Sequence, residues 1–435
     1  MTATVTAGWR PTSALIRAAL VSTTFAAVAV VAGRPDLLVL ATPFLVHAAA
    51  VVVSRPTRSP RVTSYLEHAA VREGEGTTAV TRLDEAVDVE HAVLSLTRGR
   101  WVAMKPPGGV VAATAAAPQE SVELGVPLAS LRWGRRLVGG GAVAATGPWA
   151  GRVWGPHPVL SSTLNTLPMP GVFNSRAPVP HPIGLVGTHQ ARRPGEGGEF
   201  SSIRPFAPGD RLRRVQWRVS LRTGALHVTS TVAEEDSSVL LVVDSGVEVG
   251  SSGGVQGAAT SLDVAVRAAG AIAEHYLHRG DRVGVRILGS TTHNAVPLGG
   301  GRRHLRRVLD TLARIVPGEH RDADPSRIRY RVPAGSVVVV LSPMLSDQVV
   351  AVTRTLAARG LNIVVVDTLP PELDEQDTTA RRRLAWRMRL LEREALLLRV
   401  SRAGVPVVPW RGPGTLDDVL RGLGRRARRP RLAAR

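Results

Sequence analysis

Between Arg204 and Arg222 the chain carries six arginines against a single acid, Asp210. Trp217 stands among them, and Pro208-Gly209-Asp210 is a turn signal in which the aspartate can hydrogen-bond the backbone just after it. Arg204 or Arg214 with Asp210 is a ready ion pair, because a guanidinium presents a planar fork that matches a carboxylate. Such a surface suits docking, either of a partner or of a neighbouring domain. It does not suit catalysis, since it holds no nucleophile beside a base. Elsewhere no G-x-S-x-G elbow, H-E-x-x-H pair or P-loop stands in its required context. Gly139-Gly140-Gly141 lacks the following Lys-Ser/Thr and reads as a turn. His275, His278, His293 and His304 are scattered rather than spaced as ligands. The chain has no cysteine, which excludes disulfides, thiol catalysis and Cys-ligated zinc.

The elements that position this turn follow from the apolar pattern. Ser13–Gly33 and Leu37–Val53 are apolar runs separated by Arg34-Pro35-Asp36, and both approach the length of a bilayer core. They read as a helical hairpin, residues 1–60 forming a membrane anchor. Arg10 precedes it, Arg17 lies near its start, and Arg55, Arg58 and Arg61 follow it, so the excess of positive charge places both ends in the cytoplasm. The reading is a cytoplasmic-membrane protein with its polar domains inside.

Residues 61–175 read as an all-β, sandwich-like domain. Short apolar runs (Thr77–Thr81, Val87–Leu96, Trp101–Met104, Val110–Ala115, Ser121–Leu124) alternate with Gly and Pro signals. Trp133, Trp149 and Trp154 are taken as packing residues. Pro156–Pro182 reads as a linker or an extended wrap along another domain, and 176–236 as a linker plus the arginine stretch, in which Val215 and Trp217 alternate as on a half-buried surface. From 237 to 425 strands and helices alternate, as in an α/β doubly wound domain with a covered parallel sheet. The strands are Val239–Val243, Arg282–Leu288, Ser336–Leu341, Leu361–Val366 and Val405–Trp410. The helices are Ser261–His278, Arg302–Ile315, Ser346–Arg359, Thr378–Arg402 and Leu416–Leu423. Leu384, Met388, Leu391, Ala395 and Leu398 recur at helical spacing along the segment Thr378–Arg402. Residues 426–435 are a basic tail, part of a stretch from Arg421 to Arg435 with seven arginines and no acid.

The 435 residues carry 55 basic against 35 acidic side chains, a net charge of +20. Lys105 is the only lysine. Arginine-rich coding is the simplest account of that surplus. An anionic partner is the other, and the tail could touch anionic lipid.

Gly197, Glu199, Phe200, Arg204, Pro208, Gly209, Asp210, Arg213 or Arg214, Trp217, Ser220, Arg222, Gly224 and Leu226 together resemble the signature of the bacterial "domain of unknown function 58" family. The order of membrane hairpin, β region, signature and α/β domain also resembles that family. The resemblance implies a von Willebrand factor A-like α/β domain and a MoxR-type AAA+ ATPase as partner. It implies a role in assembly or maturation of envelope proteins. In von Willebrand factor A domains the strand ends bind a divalent metal through D-x-S-x-S, a threonine and a second aspartate. Here the first element is Asp244-Ser245-Gly246-Val247-Glu248, with both serine positions replaced. Leu298–Arg302 offers no threonine, and Ser342 stands near where the second aspartate belongs. Asp347, four residues past Pro343, reads as a helix cap. The metal site is therefore expected to be degenerate, with no metal or other cofactor. Arg302 or Arg303 could supply a charge against Asp244 instead. The expectation is a non-enzymatic, membrane-anchored scaffold or adaptor, with no specific nucleic acid. The alternatives are a basic nucleic-acid-binding protein or a Mg²⁺-dependent von Willebrand-type module.

Overall fold

In the computed structural model the described residues are 2–3, 8–115, 118–169, 190–207, 210, 212, 215–234, 238–289, 295–318, 336–370, 379–410 and 417. They form two compact units, Met1–Leu167 and Pro168–Arg435.

The first unit begins with two apolar helices, α1 (Ser13–Ala32) and α2 (Asp36–Val53). Thr12 caps α1, its hydroxyl accepting from Leu15 N–H, and Gly33 closes it in the left-handed region at φ 61°. That conformation suits glycine, which has no Cβ to clash. The α1–α2 contact uses small residues, with Ala18, Ser22, Ala29 and Ala41 buried, as helices in apolar surroundings do. Most of the remaining surface is exposed and apolar: Val31 and Val53 are each 88% exposed. Both helices are long and apolar enough to cross a membrane, and in both most residues are not buried.

The β part of this unit has three sheets. One runs in the order Thr2–Ala3, Arg61–Leu66, Gly76–Asp84, Ser121–Ser130, Val102–Met104. A second runs Arg10–Pro11, Arg152–Val159, Gly141–Thr146, His91–Leu96, Val110–Thr114. Gly134–Val138, Ser162–Leu167 and Ala70–Arg72 form the third. Leu83, Leu124 and Val126 from the first sheet and Leu94, Val143 and Trp154 from the second share one core. Strands His91–Leu96 and Ser121–Ser130 show the clean in-out alternation of a half-covered sheet,.

Several expectations are corrected here. The strand expected from Val87 starts only at His91. Before it the chain turns, with Val89 N–H donating to Ala86 C=O, and Asp88 accepts from the Thr57 and Arg58 amides below α2. The strand starting at Ser121 runs on through Pro127 to Ser130. The Pro-rich stretch from 156 is not a linker at its start, because it completes Arg152–Val159 and supplies Ser162–Leu167. Residues 170–189 lie outside the described part. Trp133 and Trp154 are buried core residues, whereas Trp149 is 60% exposed.

His157 is 3% exposed and its ring centroid lies 4.0 Å from that of Trp154. Burial, and then the nearby Arg10 charge, lower its pKa from the ordinary 6.5. The unfolded chain therefore binds a proton at a pH where the folded unit does not, and stability falls as pH drops below about 6.5. We expect the first unit to lose stability between pH 7 and pH 5, and His157→Phe to flatten that loss. Thermal unfolding across this range checks it; identical pH slopes for the two proteins would remove His157 as the cause.

The second unit holds a six-stranded sheet. Its strands are β1 (Ser238–Asp244), β2 (Arg282–Leu288), β3 (Ala295–Gly299), β4 (Val337–Ser342), β5 (Asn362–Asp367) and β6 (Val407–Pro409). Their order is β3-β2-β1-β4-β5-β6, parallel except for the antiparallel edge β3. β3 was not expected; the sequence there reads as a loop. Every residue of β1 and of β4 is buried, which is why both are continuous apolar runs. Leu240, Val242, Val338 and Val340 pack with α6 (Asp347–Ala358) and with Leu396 and Val400 of α7 (Ala380–Arg402). α4 (Ser261–His278) packs on β1, β2 and β4 and against α5 (Arg302–Leu312). Thr260 and Asp263 close a capping box at the start of α4,. The cap of α6 is Ser346 rather than Asp347, which sits one residue inside and pairs with Arg399. The expected helix 416–423 and the basic tail lie outside the described residues, apart from Asp417.

Candidate functional site

Two places in the second unit carry the residues singled out above. The first is the arginine turn. Strand Gln190–Pro205 pairs antiparallel with His227–Glu234, so Glu199 and Phe200 lie on a two-stranded ribbon. Arg204 closes its end. Its Nη1 and Nη2 donate to Asp210 Oδ2 and Oδ1 at 2.8 and 2.6 Å. Asp210 also accepts from Ala207 N–H at 2.8 Å. This two-point grip pins the turn, and the hydrogen bond to the carboxylate raises the Arg204 pKa above its ordinary value,. Pro208, Gly209, Arg213 and Arg214 lie outside the described residues, so the partner seen for Asp210 is Arg204.

Beyond the turn the backbone does something the alternation did not suggest. Trp217–Thr223 forms a short helix, α3, closed by Gly224 at φ 70°. Ser220 holds it against the ribbon: its hydroxyl accepts from His227 N–H at 2.9 Å and donates to Gln216 C=O at 2.9 Å. Only Ser220 of α3 is buried. Trp217 is 62% exposed, Leu221 83% and Leu212 69%. Arg218 and Arg222 are exposed beside them. Val215, by contrast, is buried and bridges to Val228. The turn therefore presents an apolar, aromatic surface set among arginines. The sequence signal for it was Trp217 and Leu221 spaced by four, one helical turn, within an otherwise basic stretch.

The second place is the C-terminal end of the sheet, where β1 and β4 diverge in connection. In open α/β sheets that switch point is where ligands bind. Asp244 ends β1 and Ser342 ends β4. Ser342 Oγ donates to Asp244 Oδ2 at 2.6 Å and accepts from Met344 N–H at 2.9 Å. Asp244 Oδ1 accepts from Gly246 N–H at 3.0 Å. Both side chains are buried, at 1% and 0% exposure. Ser245 Oγ donates to Leu288 C=O at 2.8 Å. Glu248 accepts from Thr260 Oγ1 at 2.7 Å. Gly289, at φ 86°, lets the loop after β2 press on the loop after β1: a Cβ there would lie 2.5 Å from Gly246 N. Each Asp244 oxygen thus faces a donor, and the side chain is buried. A divalent ion needs several oxygens converging on one point, and each Asp244 oxygen already accepts a hydrogen bond. Among the described residues no three His, Asp or Glu side chains gather to hold a metal. Arg302 and Arg303 are exposed on α5, so neither stands in for a cation at buried Asp244.

Next to this point α7 is latched across the strand ends. Arg393 Nη2 lies 2.5 Å from Asp367 Oδ2, and its Nε donates to Pro343 C=O at 2.7 Å. Arg389 donates to Leu345 C=O at 2.6 Å. Sequence reasoning missed this clamp, because arginines on a helix dense in arginine gave no sign of which ones turn inward.

Comparison with known proteins gives these features a setting. A 189-residue stretch is 29% identical to the "Uncharacterized protein Rv1480" of Mycobacterium tuberculosis (strain ATCC 25618 / H37Rv), covering 43% of this chain and 52% of that protein. The "Uncharacterized protein Mb1516" of Mycobacterium bovis matches with the same figures. The chain spans about half the length of the curated relatives it matches. Among solved structures, the cupredoxin domain of amoB from Nitrosocaldus yellowstonii overlaps 25% of this chain and 88% of its own, at 10% identity and a TM-score of 0.15. A score so low supports no argument about this fold. Residues 202–378, which run from the end of the ribbon through α3 and strands β1 to β5, match the family model described as "Protein of unknown function DUF58".

Proposed function

We propose that this protein is a non-enzymatic, membrane-anchored scaffold or adaptor that binds other proteins through the α3 turn. The observation that carries this reading is the exposure of Trp217 and Leu221 on a helix pinned by Ser220 and by the Arg204–Asp210 pair. A large aromatic held rigidly in water among arginines is the composition of an interface hot spot. Two apolar helices compatible with membrane spans support the anchored half of the reading. The positive flanks of the hairpin favour the cytoplasmic side for the two units. The strand order β3-β2-β1-β4-β5-β6 with an antiparallel edge supports a von Willebrand factor A-like domain, here without metal chemistry because Asp244 is held by Ser342 and Gly246. The family resemblance makes a MoxR-type AAA+ ATPase the partner, in assembly or maturation of envelope proteins.

The test is affinity capture of the full chain from detergent-solubilised native membranes, with ATP and Mg²⁺, identifying bound proteins by mass spectrometry. An AAA+ ATPase should be recovered with the wild type. Trp217→Ala/Leu221→Ala should recover it at least tenfold less, as loss of a hot spot implies. Equal recovery by both proteins would move the contact away from α3. Absence of an ATPase from both, or nucleic acid in its place, would overturn the scaffold reading.

A further inference from the structure

α7 has two apolar faces, and among the described residues only one of them is covered. Leu396 and Val400 are buried against the sheet, and Arg389 and Arg393 reach the loop after β4 from the same side. At about 100° per residue, Leu384, Met388, Leu391, Ala395 and Leu398 lie within about 80° of one another, on the side opposite. Their helical spacing is plain in the sequence, and in the fold the large ones face water: Leu384 is 61% exposed, Met388 57%, Leu391 66% and Leu398 56%.

The spacing of that exposed stripe is four, three, four, three, the a/d seam of a coiled coil. With Met388 and Ala395 at a, and Leu384, Leu391 and Leu398 at d, the residues beside the seam are Arg387 and Glu394 at g and Glu392 and Arg399 at e. In a parallel pair each g residue faces the e residue five positions on in the other helix. Here that sets Arg387 against Glu392 and Glu394 against Arg399, opposite charges at both places. An antiparallel pair sets g against g and e against e: it can match Arg387 with Glu394 but leaves Glu392 and Arg399 without an opposite charge, half the matched pairs of the parallel arrangement.

We propose that α7 pairs in parallel with α7 of a second copy of this chain, through the Leu384–Leu398 seam. Charge complementarity chooses the occupant. A lipid surface would not need acids at the seam's edge, and Glu392 and Glu394 both stand there. Glu392 already pairs with Arg389 at 2.8 Å and Arg399 with Asp347 at 3.1 Å, but both pairs are largely exposed. Exposed pairs of this kind are weak and exchange readily. The seam is short, so its affinity in solution is low. Two membrane-competent helices in the same chain change that, because copies confined to one bilayer meet at raised effective concentration. α7 starts at Ala380, just past the DUF58 match that ends at 378. The pairing is therefore a property of this chain and does not depend on the scaffold reading.

The chain has no cysteine, so each introduced thiol is unique. The test uses the full chain in liposomes, with Leu384→Cys, Leu391→Cys and Leu398→Cys made singly and oxidised mildly. In the parallel pair each d position meets its own copy, so all three should form disulfide dimers. Adding Arg387→Glu should cut the yield several-fold, and Arg387→Glu with Glu392→Arg should restore it. Crosslinking only when Leu384→Cys and Leu398→Cys proteins are mixed would mean an antiparallel pair and overturn the proposal. No crosslinks, with the thiols shielded from a water-soluble maleimide only in anionic liposomes, would make lipid the occupant. No crosslinks with freely labelled thiols would leave the stripe in water. Each of these last outcomes also overturns it. Capture of the ATPase by the same variants reads the scaffold function separately.

Discussion

Replacing Arg393 with alanine is expected to lower the stability of the second unit by about 1–3 kcal/mol, the cost of leaving a largely covered polar group without its partner. The Arg393 side chain is 11% exposed and that of Asp367 20%, so solvent screens the pair little. The substitution strands a carboxylate at the end of β5 and leaves Pro343 C=O without its donor. It also loosens the middle of α7, which is otherwise held by Leu396, Val400 and the Arg389 bond to Leu345 C=O. Arg393→Lys should recover only part of the loss, because an ammonium cannot span the carboxylate and the carbonyl as the guanidinium fork does. With two units in one chain, a single unfolding midpoint is not well defined. Hydrogen exchange of the β4, β5 and α7 amides is the measurement: all three should lose protection together in Arg393→Ala. Protection unchanged in β5 and α7 would mean that Leu396, Val400 and Arg389 seat the helix without it.

How much of this was legible depends on whether local pattern or distant pairing decides each element. β1 was readable because a strand covered on both faces must be apolar at every residue, and Val239–Val243 is. α4 was readable because its period and its Thr260 cap agree. β3 was not: Ala295–Gly299 contains Pro297 and a terminal glycine, and it survives as a strand because an edge tolerates a missing donor. α3 was hidden because Val215 and Trp217 mimic a strand's alternation. What makes the segment a helix is Ser220 bonding to His227, a contact that needs the ribbon already in place. For α7 the helical period was plain, but the choice of face was not. The helix is apolar on two sides, and the arginines that decide which side turns inward are indistinguishable in sequence from those that stay in water. At the candidate sites, Asp210 announced a basic partner without saying which. The Asp244–Ser342 contact spans 98 positions, and only the order of strands in the sheet brings the two together.

That contact yields the second large effect. Asp244→Ala should destabilise the second unit by about 3 kcal/mol, since it leaves the buried Ser342 hydroxyl and the Gly246 amide without their acceptor, at about 1–3 kcal/mol each. Asp244→Asn should cost less but not nothing. Its amide oxygen can take one of the two donors, while its NH₂ faces a hydroxyl whose oxygen already accepts from Met344 N–H. Ser342→Ala in the Asp244→Ala background should then add little, because the two side chains form one unit, and a double-mutant cycle should return a coupling above 1 kcal/mol. The contrast with a metal centre is sharp on one point. A site that bound Mg²⁺ would stabilise the folded state in proportion to the logarithm of metal concentration, and Asp244→Asn would abolish that gain. A carboxylate whose two oxygens are taken by Ser342 and Gly246 gives no such slope. Millimolar Mg²⁺ should shift the unfolding of wild type and Asp244→Asn equally, by no more than matched ionic strength does. A wild-type shift that grows with Mg²⁺ and disappears in the variant would mean that the strand ends open to admit the ion. The Asp244–Ser342 hydrogen bond would then be the closed form of a metal site rather than its replacement.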